Sequence, residues 1–124
     1  MIINCTQHRA TPEQLALGVT DFPEPSRSEL VRLLTFEELP TIDIIHERAK
    51  NICALVDNTF KDVTPKVLLL GGAPFLMGTL ERHIIFRGWK PVYAFSQRES
   101  VEELQADGTV KKTSVFKHAG FVEV

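Results

Sequence analysis

The segment VLLLGGAPFLMGTLERHIIFRGWKPVYAFSQRES, Val67 to Ser100, constrains the fold more than any other part of the chain. Val67 to Leu70 is a continuous apolar run closed by two glycines. Such a run suits a strand buried on both faces, as in a parallel sheet covered by helices. Phe75 to Arg87 then reads as a helix, with Leu76, Leu80 and His83 or Ile84 on one stripe and Met77 widening it. Gly88 ends the helix, and Pro91 leads into the apolar run Val92 to Phe95. The order strand, helix, strand predicts a crossover between parallel strands, which is right-handed. It brings two turns to one sheet edge: Gly71-Gly72-Ala73-Pro74 and Ser96-Gln97-Arg98-Glu99.

The N-terminal half supplies a matching strand. Ile2 to Cys5 is a short apolar run placed well inside a sheet. Thr11-Pro12-Glu13-Gln14 is the sharpest helix start in the chain: threonine caps, proline fits the first helical position, and Gln14 falls at the capping-box position. This helix runs about Pro12 to Leu17 and ends at Gly18. Residues 21–28, DFPEPSRS, read as a turn-rich connector. Glu29 to Phe36 fits a helix with Leu30, Leu33 and Leu34 inward. Thr41 to Asp57 reads as the main helix, with Ile42, Ile45, Ala49, Ile52 and Val56 recurring every three or four residues. Near the C-terminus, Asp107-Gly108 between short runs predicts a hairpin, and Phe121 to Val124 a final edge strand.

These elements make one domain over residues 1–124. The expected fold class is α/β: a Rossmann-like, three-layer domain with a mostly parallel sheet and a C-terminal β-hairpin. The formal net charge of -2 is far from that of a dedicated duplex-DNA binder. Residues 1–62 carry 6 basic and 10 acidic side chains, whereas residues 63–124 carry 8 and 6, so the C-terminal half is mildly basic. Contact with a nucleotide or a short single strand stays open. Cys5 and Cys53 read as buried free thiols of a reducing compartment. No metal-ligand spacing is present, and no metal is expected. The N-terminus does not read as a signal peptide, and no apolar run approaches membrane-spanning length. The expectation is a cytoplasmic protein without a membrane partner.

Candidate chemistry gathers in three loops at the carboxyl edge, where open parallel sheets bind ligands. Gly71 and Gly72 allow close backbone approach, and the helix behind them favours an anion. Arg9 and Arg98 could each fork onto a phosphate or carboxylate. Thr6 and Ser96 offer hydroxyls, and His8 an imidazole suited to acid–base work. The candidate ligand-binding set is therefore Thr6, His8, Arg9, Gly71, Gly72, Ser96 and Arg98. His8 is the candidate catalytic acid or base. Cys5 would act as a nucleophile only if exposed beside His8. Lys111, Lys112 and Lys117 form a basic strip with Trp89, Tyr93 and Phe116 near in sequence. The glycines match neither the dinucleotide fingerprint nor a Walker A loop, so no cofactor follows.

The segments NCTQHRATPEQLALGV, GGAPFLMGTLERHIIFRGWKPVYAFSQRES and DGTVKKTSVFKHAGFVEV resemble a conserved uncharacterised family of small bacterial and phage proteins. The resemblance spans nearly the whole chain. In architecture alone, the chain is also similar to the Rossmann-like nucleotide-sensing domains of CRISPR systems, which implies a nucleotide ligand and assigns no residue. Three functions stay open: binding of a nucleotide or other phosphorylated ligand, possibly regulatory; a protein-interaction or homodimer module; and a phosphodiester- or nucleotide-processing enzyme.

Overall fold

A computed structural model describes residues 1–124. Four parallel strands and one antiparallel strand form a single sheet. Strands β1 (Ile2–Cys5), β2 (Val19–Thr20), β3 (Val67–Leu70), β4 (Lys90–Leu104) and β5 (Val110–Glu123) lie in the order β2-β1-β3-β4-β5. β1 pairs in parallel with β2 and β3, β3 in parallel with β4, and β4 antiparallel with β5. The chain therefore moves one way from β1 to β2 and the other way from β2 to β3. This is the strand order of the doubly wound α/β folds, with its switch point between β1 and β3.

Helix α1 (Pro12–Ala16) connects β1 to β2. Helices α2 (Ser26–Leu34) and α3 (Ile42–Thr59) lie between β2 and β3, and α4 (Pro74–Phe86) lies between β3 and β4. Alternation along β1 and β3 decides what each face meets. Ile3, Cys5, Leu68 and Leu70 join one core with Leu30, Leu33 and Leu34 of α2, Ala49, Ile52, Cys53 and Val56 of α3, and Leu76, Leu80 and Ile84 of α4. The opposite face holds a small cluster, Val19, Leu69 and Val92. Its short helix α1 buries no residue. The expected three layers are thus two: three helices cover one face, and the sheet curls into a half-barrel. A five-residue crossover is too short to build a second helical layer.

Four local departures from the expected elements stand out. Ser96-Gln97-Arg98-Glu99 is not a turn; β4 continues through it to Leu104 and pairs with β5 along its length. The expected hairpin and final strand are one ribbon turning at Asp107-Gly108, with a register shift between Phe95 and Ser96. From Ser96 to Lys117 no residue is buried. The connector 21–28 also gives up Ser26, Arg27 and Ser28 to the first turn of α2. On α3 the inward stripe begins at Ile45, and Ile42 is exposed.

Candidate functional site

The loop after β1 is built around a polar residue inside an apolar strand. Asn4 is almost wholly buried on the α1 side of the sheet. Its Nδ2 donates to Asp21 Oδ1 at 2.7 Å and to the His8 carbonyl at 2.8 Å. Its Oδ1 accepts from Thr6 Oγ1 at 2.8 Å and from the Thr6 backbone N–H at 3.2 Å. Thr6 Oγ1 also meets the His8 carbonyl at 3.0 Å. Asp21 in turn accepts from the Ala10 N–H, at 3.0 Å on the nearer oxygen. One side chain thereby sets the backbone course of residues 6–10, and Thr6 spends its hydroxyl on the loop itself.

Arg27 fixes the same loop from behind. Only 8% exposed, it donates from Nη2 to the Gln7 carbonyl at 3.0 Å, and its Nη1 has no partner. Gln7 Nε2 reaches across to the Leu34 carbonyl and Thr35 Oγ1 at the end of α2. Across the switch point, Gly71 lies so close to the first loop that a Cβ there would stand 3.2 Å from Thr6 Cγ2. Gly72 has φ +156, which a side chain would strain. Helix α4 follows with Pro74 in its first turn and no side-chain cap; the Leu76 N–H turns back to the Ala73 carbonyl at 3.0 Å.

These loops enclose a cleft of about 380 Å³. It is lined by Thr6, Gln7, His8, Arg9, Thr11 and Gln14 on one side and by Leu69, Leu70, Gly71, Gly72, Tyr93 and Ala94 on the other. Five of the seven expected ligand-binding residues, Thr6, His8, Arg9, Gly71 and Gly72, come together there. Ser96 does not; it lines a separate hollow with Thr11 to Gln14, Phe116 and His118. Arg98 sits further out on the ribbon, opposite Phe116, and is absent from the cleft wall. The physical reason is the continuous strand: without a turn at Ser96, β4 carries both residues past the sheet edge.

The cleft has one unpaired cation and no lining carboxylate. Arg9 is exposed and belongs to no salt bridge. His8 is exposed, and its contacts run through its carbonyl. The Tyr93 hydroxyl donates to the Glu81 carboxylate. Burial, then this hydrogen bond and the carboxylate's charge, push the phenol well above its usual range. Tyr93 is therefore a neutral wall. Cys5 does not meet the cleft as a nucleophile: it is fully buried in the helix-side core, and burial pushes its thiol up. The basic strip on the ribbon is also dissolved. Lys111 and Lys112 point to opposite faces and stand across from Glu103 and Glu102, the latter 3.8 Å from Lys112. No group of three His, Cys, Asp or Glu side chains gathers at metal-binding distance, and no helix is long and apolar enough to cross a membrane.

Reasoning from sequence missed Gln7, Tyr93 and Arg27. Gln7 follows from the end of β1 and could have been found; Tyr93 lies inside β4, beside Leu70 at the end of β3; Arg27 stood in a segment read as loop. Thr11 and Gln14 line the cleft while forming the capping box on each other's backbone.

Strand order and cleft together define a small α/β domain with a concave edge at a strand-order reversal. The chain belongs to the family described as Uncharacterized protein MJ1673 family, whose model matches residues 1–122. No curated protein matches it, and no solved structure does. The family match carries no link to the nucleotide-sensing domains of CRISPR systems.

Proposed function

We propose that the protein binds a small phosphorylated ligand, of nucleotide class, in the cleft between the β1 and β3 loops. The observation that carries this reading is the convergence of Arg9, His8 and the Gly71-Gly72 turn on one cavity at the switch point. Its volume of about 380 Å³ lies within the range of small-molecule pockets. Arg9 offers a fork for a phosphate, the glycines admit close backbone approach, and the uncapped start of α4 favours negative charge. Arg27 adds a second positive charge behind Gln7. The absence of a lining carboxylate suits an anion and removes the usual partner for acid–base work, so binding is favoured over turnover.

The test is a calorimetric titration with a panel of mononucleotides, cyclic dinucleotides and inorganic phosphate. Binding by the wild type and a loss of about 10-fold or more in Arg9→Ala are expected, the worth of one charge-assisted contact. No heat with any phosphorylated ligand at millimolar concentration would sink the reading. Equal binding by Arg9→Ala would remove the cleft from it.

A second reading rests on the ribbon. A two-stranded ribbon is marginal alone, and β5 leaves its outer edge unpaired. Pairing of two copies through that edge would satisfy both. Light scattering at high concentration tests it, and a monomer there removes it.

A further inference from the structure

The outer seam between α3 and α4 carries a charge arrangement that the cleft does not explain. His46 and Lys50 stand one turn apart on α3. Arg82, His83 and Arg87 gather at the end of α4. With Phe86 they line an open cavity of about 650 Å³ that shares no residue with the cleft. The His46 Nδ1 and His83 Nε2 atoms are 3.5 Å apart.

No carboxylate lines this cavity, and none of its cations belongs to a salt bridge. Arg82 gives one bond to Thr79 Oγ1 at 3.2 Å and Arg87 one to the His83 carbonyl at 3.2 Å. Most of their N–H groups stay unused. The clustering has a cost. His83 is held below its ordinary pKa first by burial and then by Arg87, His46, Arg82 and Lys50. Asp43, Glu47 and Asp57 also lie on α3 but not in this wall. The one apolar member, Phe86, is 92% exposed. An open ring beside unpaired cations is a stacking surface with a phosphate clamp. The pair of histidines does not suit a metal ion, because three fixed positive charges surround it and no anionic ligand offsets them.

We propose that the α3–α4 seam binds a nucleotide unit, its phosphates on Lys50, Arg82 and Arg87 and its unpaired base stacked on Phe86. A free nucleoside triphosphate and a single-stranded nucleic acid present the same chemistry, and the experiment separates them.

The full-length protein is titrated into a labelled oligothymidylate at low salt and followed by fluorescence anisotropy, with ATP and inorganic pyrophosphate as competitors. Tighter binding of the oligonucleotide than of ATP names a strand as the ligand; the reverse names the free nucleotide. The double variant Arg82→Ser with Arg87→Ser is expected to lose about 10-fold or more for both. Phe86→Ala is expected to lose about 5-fold or more for the oligonucleotide and for ATP, and nothing for pyrophosphate. For three fixed cations, log Kd is expected to rise with log salt at a slope of about 2. His83 faces His46 and Lys50 from α3 and Arg82 and Arg87 on α4, and burial and these neighbours hold it below its ordinary value, so affinity should rise as pH falls below 6.5 and its imidazole gains a proton. Arg9→Ala should change none of this. All these side chains but the half-buried His83 are exposed, and circular dichroism checks the fold of each variant. Absence of binding at low salt overturns the proposal, as does unchanged affinity in the arginine double variant. A loss caused by Arg9→Ala alone assigns the binding to the cleft and also overturns it.

Discussion

Replacing Asn4 by alanine should cost the domain about 2.5–4 kcal/mol, and the reason can be followed atom by atom. The variant deletes both contacts of Nδ2 and both of Oδ1. The His8 carbonyl keeps Thr6 Oγ1, and Asp21 keeps the Ala10 N–H. What goes unreplaced is a bond to a carboxylate, worth about 1.5–3 kcal/mol, and a partner for the half-buried Thr6 N–H, worth about 1 kcal/mol or more. Urea unfolding followed by circular dichroism measures the loss as a drop in midpoint at unchanged slope. Asn4→Asp has the same shape and gives a sharper reading. It sets a carboxylate oxygen against Asp21 Oδ1, at the place where Nδ2 now stands 2.7 Å away. Two carboxylates so close cannot both ionise, and the pair's folded pKa rises above the unfolded value. Stability of Asn4→Asp should therefore recover as pH falls from neutral toward 5. The wild type should do the opposite at lower pH. Hydrogen bonds from Ser28 to Glu24, from Arg32 to Glu29 and from Thr109 to Asp107 hold these carboxyls below their ordinary values of 4.5, 4.5 and 3.8. The stability they add is present above those values and is lost as pH falls through the lowered folded ones. A cost below about 1 kcal/mol for Asn4→Ala, where a single ordinary hydrogen bond is expected, would refute the reasoning. So would a wild-type pH slope in Asn4→Asp.

Three further outcomes follow from other contacts. Arg48 Nη1 donates to the carbonyls of Arg32, Leu33 and Thr35 at 3.1, 2.9 and 2.7 Å, and its guanidinium lies 4.6 Å from the Phe36 ring. Arg48→Met should cost about 2–3 kcal/mol, and Arg48→Lys should recover part of that in thermal melts. Cys5 and Cys53 are buried, with thiols pushed up chiefly by desolvation, so a thiol reagent should label neither until the chain unfolds; fast labelling of the native protein would contradict their placement. Joining Arg98 to Phe116 through an Asn-Gly turn should leave the melting temperature within a few degrees, because the excised ribbon buries no side chain; a collapse of the fold would show that the ribbon supports the core.

How legible each part was in the sequence depended on whether burial left a pattern. β1 and β3 fall where the apolar runs predict them, and Thr11 caps α1 through the expected box. β2 left no trace, since two residues make no period. Ser96 to Glu99 reads as a turn because neither face of the ribbon is buried there, and alternation arises only where one is, whereas Asp107-Gly108 does mark where the ribbon turns. The same absence misplaced Ser96 and Arg98. The cleft loops were legible through strand ends, which fix where loops must emerge. The α3–α4 seam was not, although His46 and Lys50, and His83 and Arg87, share a helix spacing of four. Nothing in the sequence says that the two pairs meet.

Arg27 shows where stability and function pull apart. A buried guanidinium with a bare Nη1 and no salt-bridge partner is costly, because desolvating a charge is repaid only by full pairing. It sits on α2 beside Leu30 and Leu33, where an apolar side chain would serve the core. Its single recorded bond, to the Gln7 carbonyl, holds the cleft loop. Methionine has similar length and no charge. Arg27→Met forfeits that bond, about 1–2 kcal/mol, and removes a desolvation penalty of at least that size. The melting temperature should stay level or rise. Phosphate-ligand affinity at the cleft should nonetheless fall by about 3–10-fold, since a fixed positive charge and the pinned loop are both lost. The two readouts must move separately for the assignment to stand. A drop of more than about 2 kcal/mol in stability would make Arg27 a core requirement, and an unchanged affinity would leave its burial without a role at the cleft.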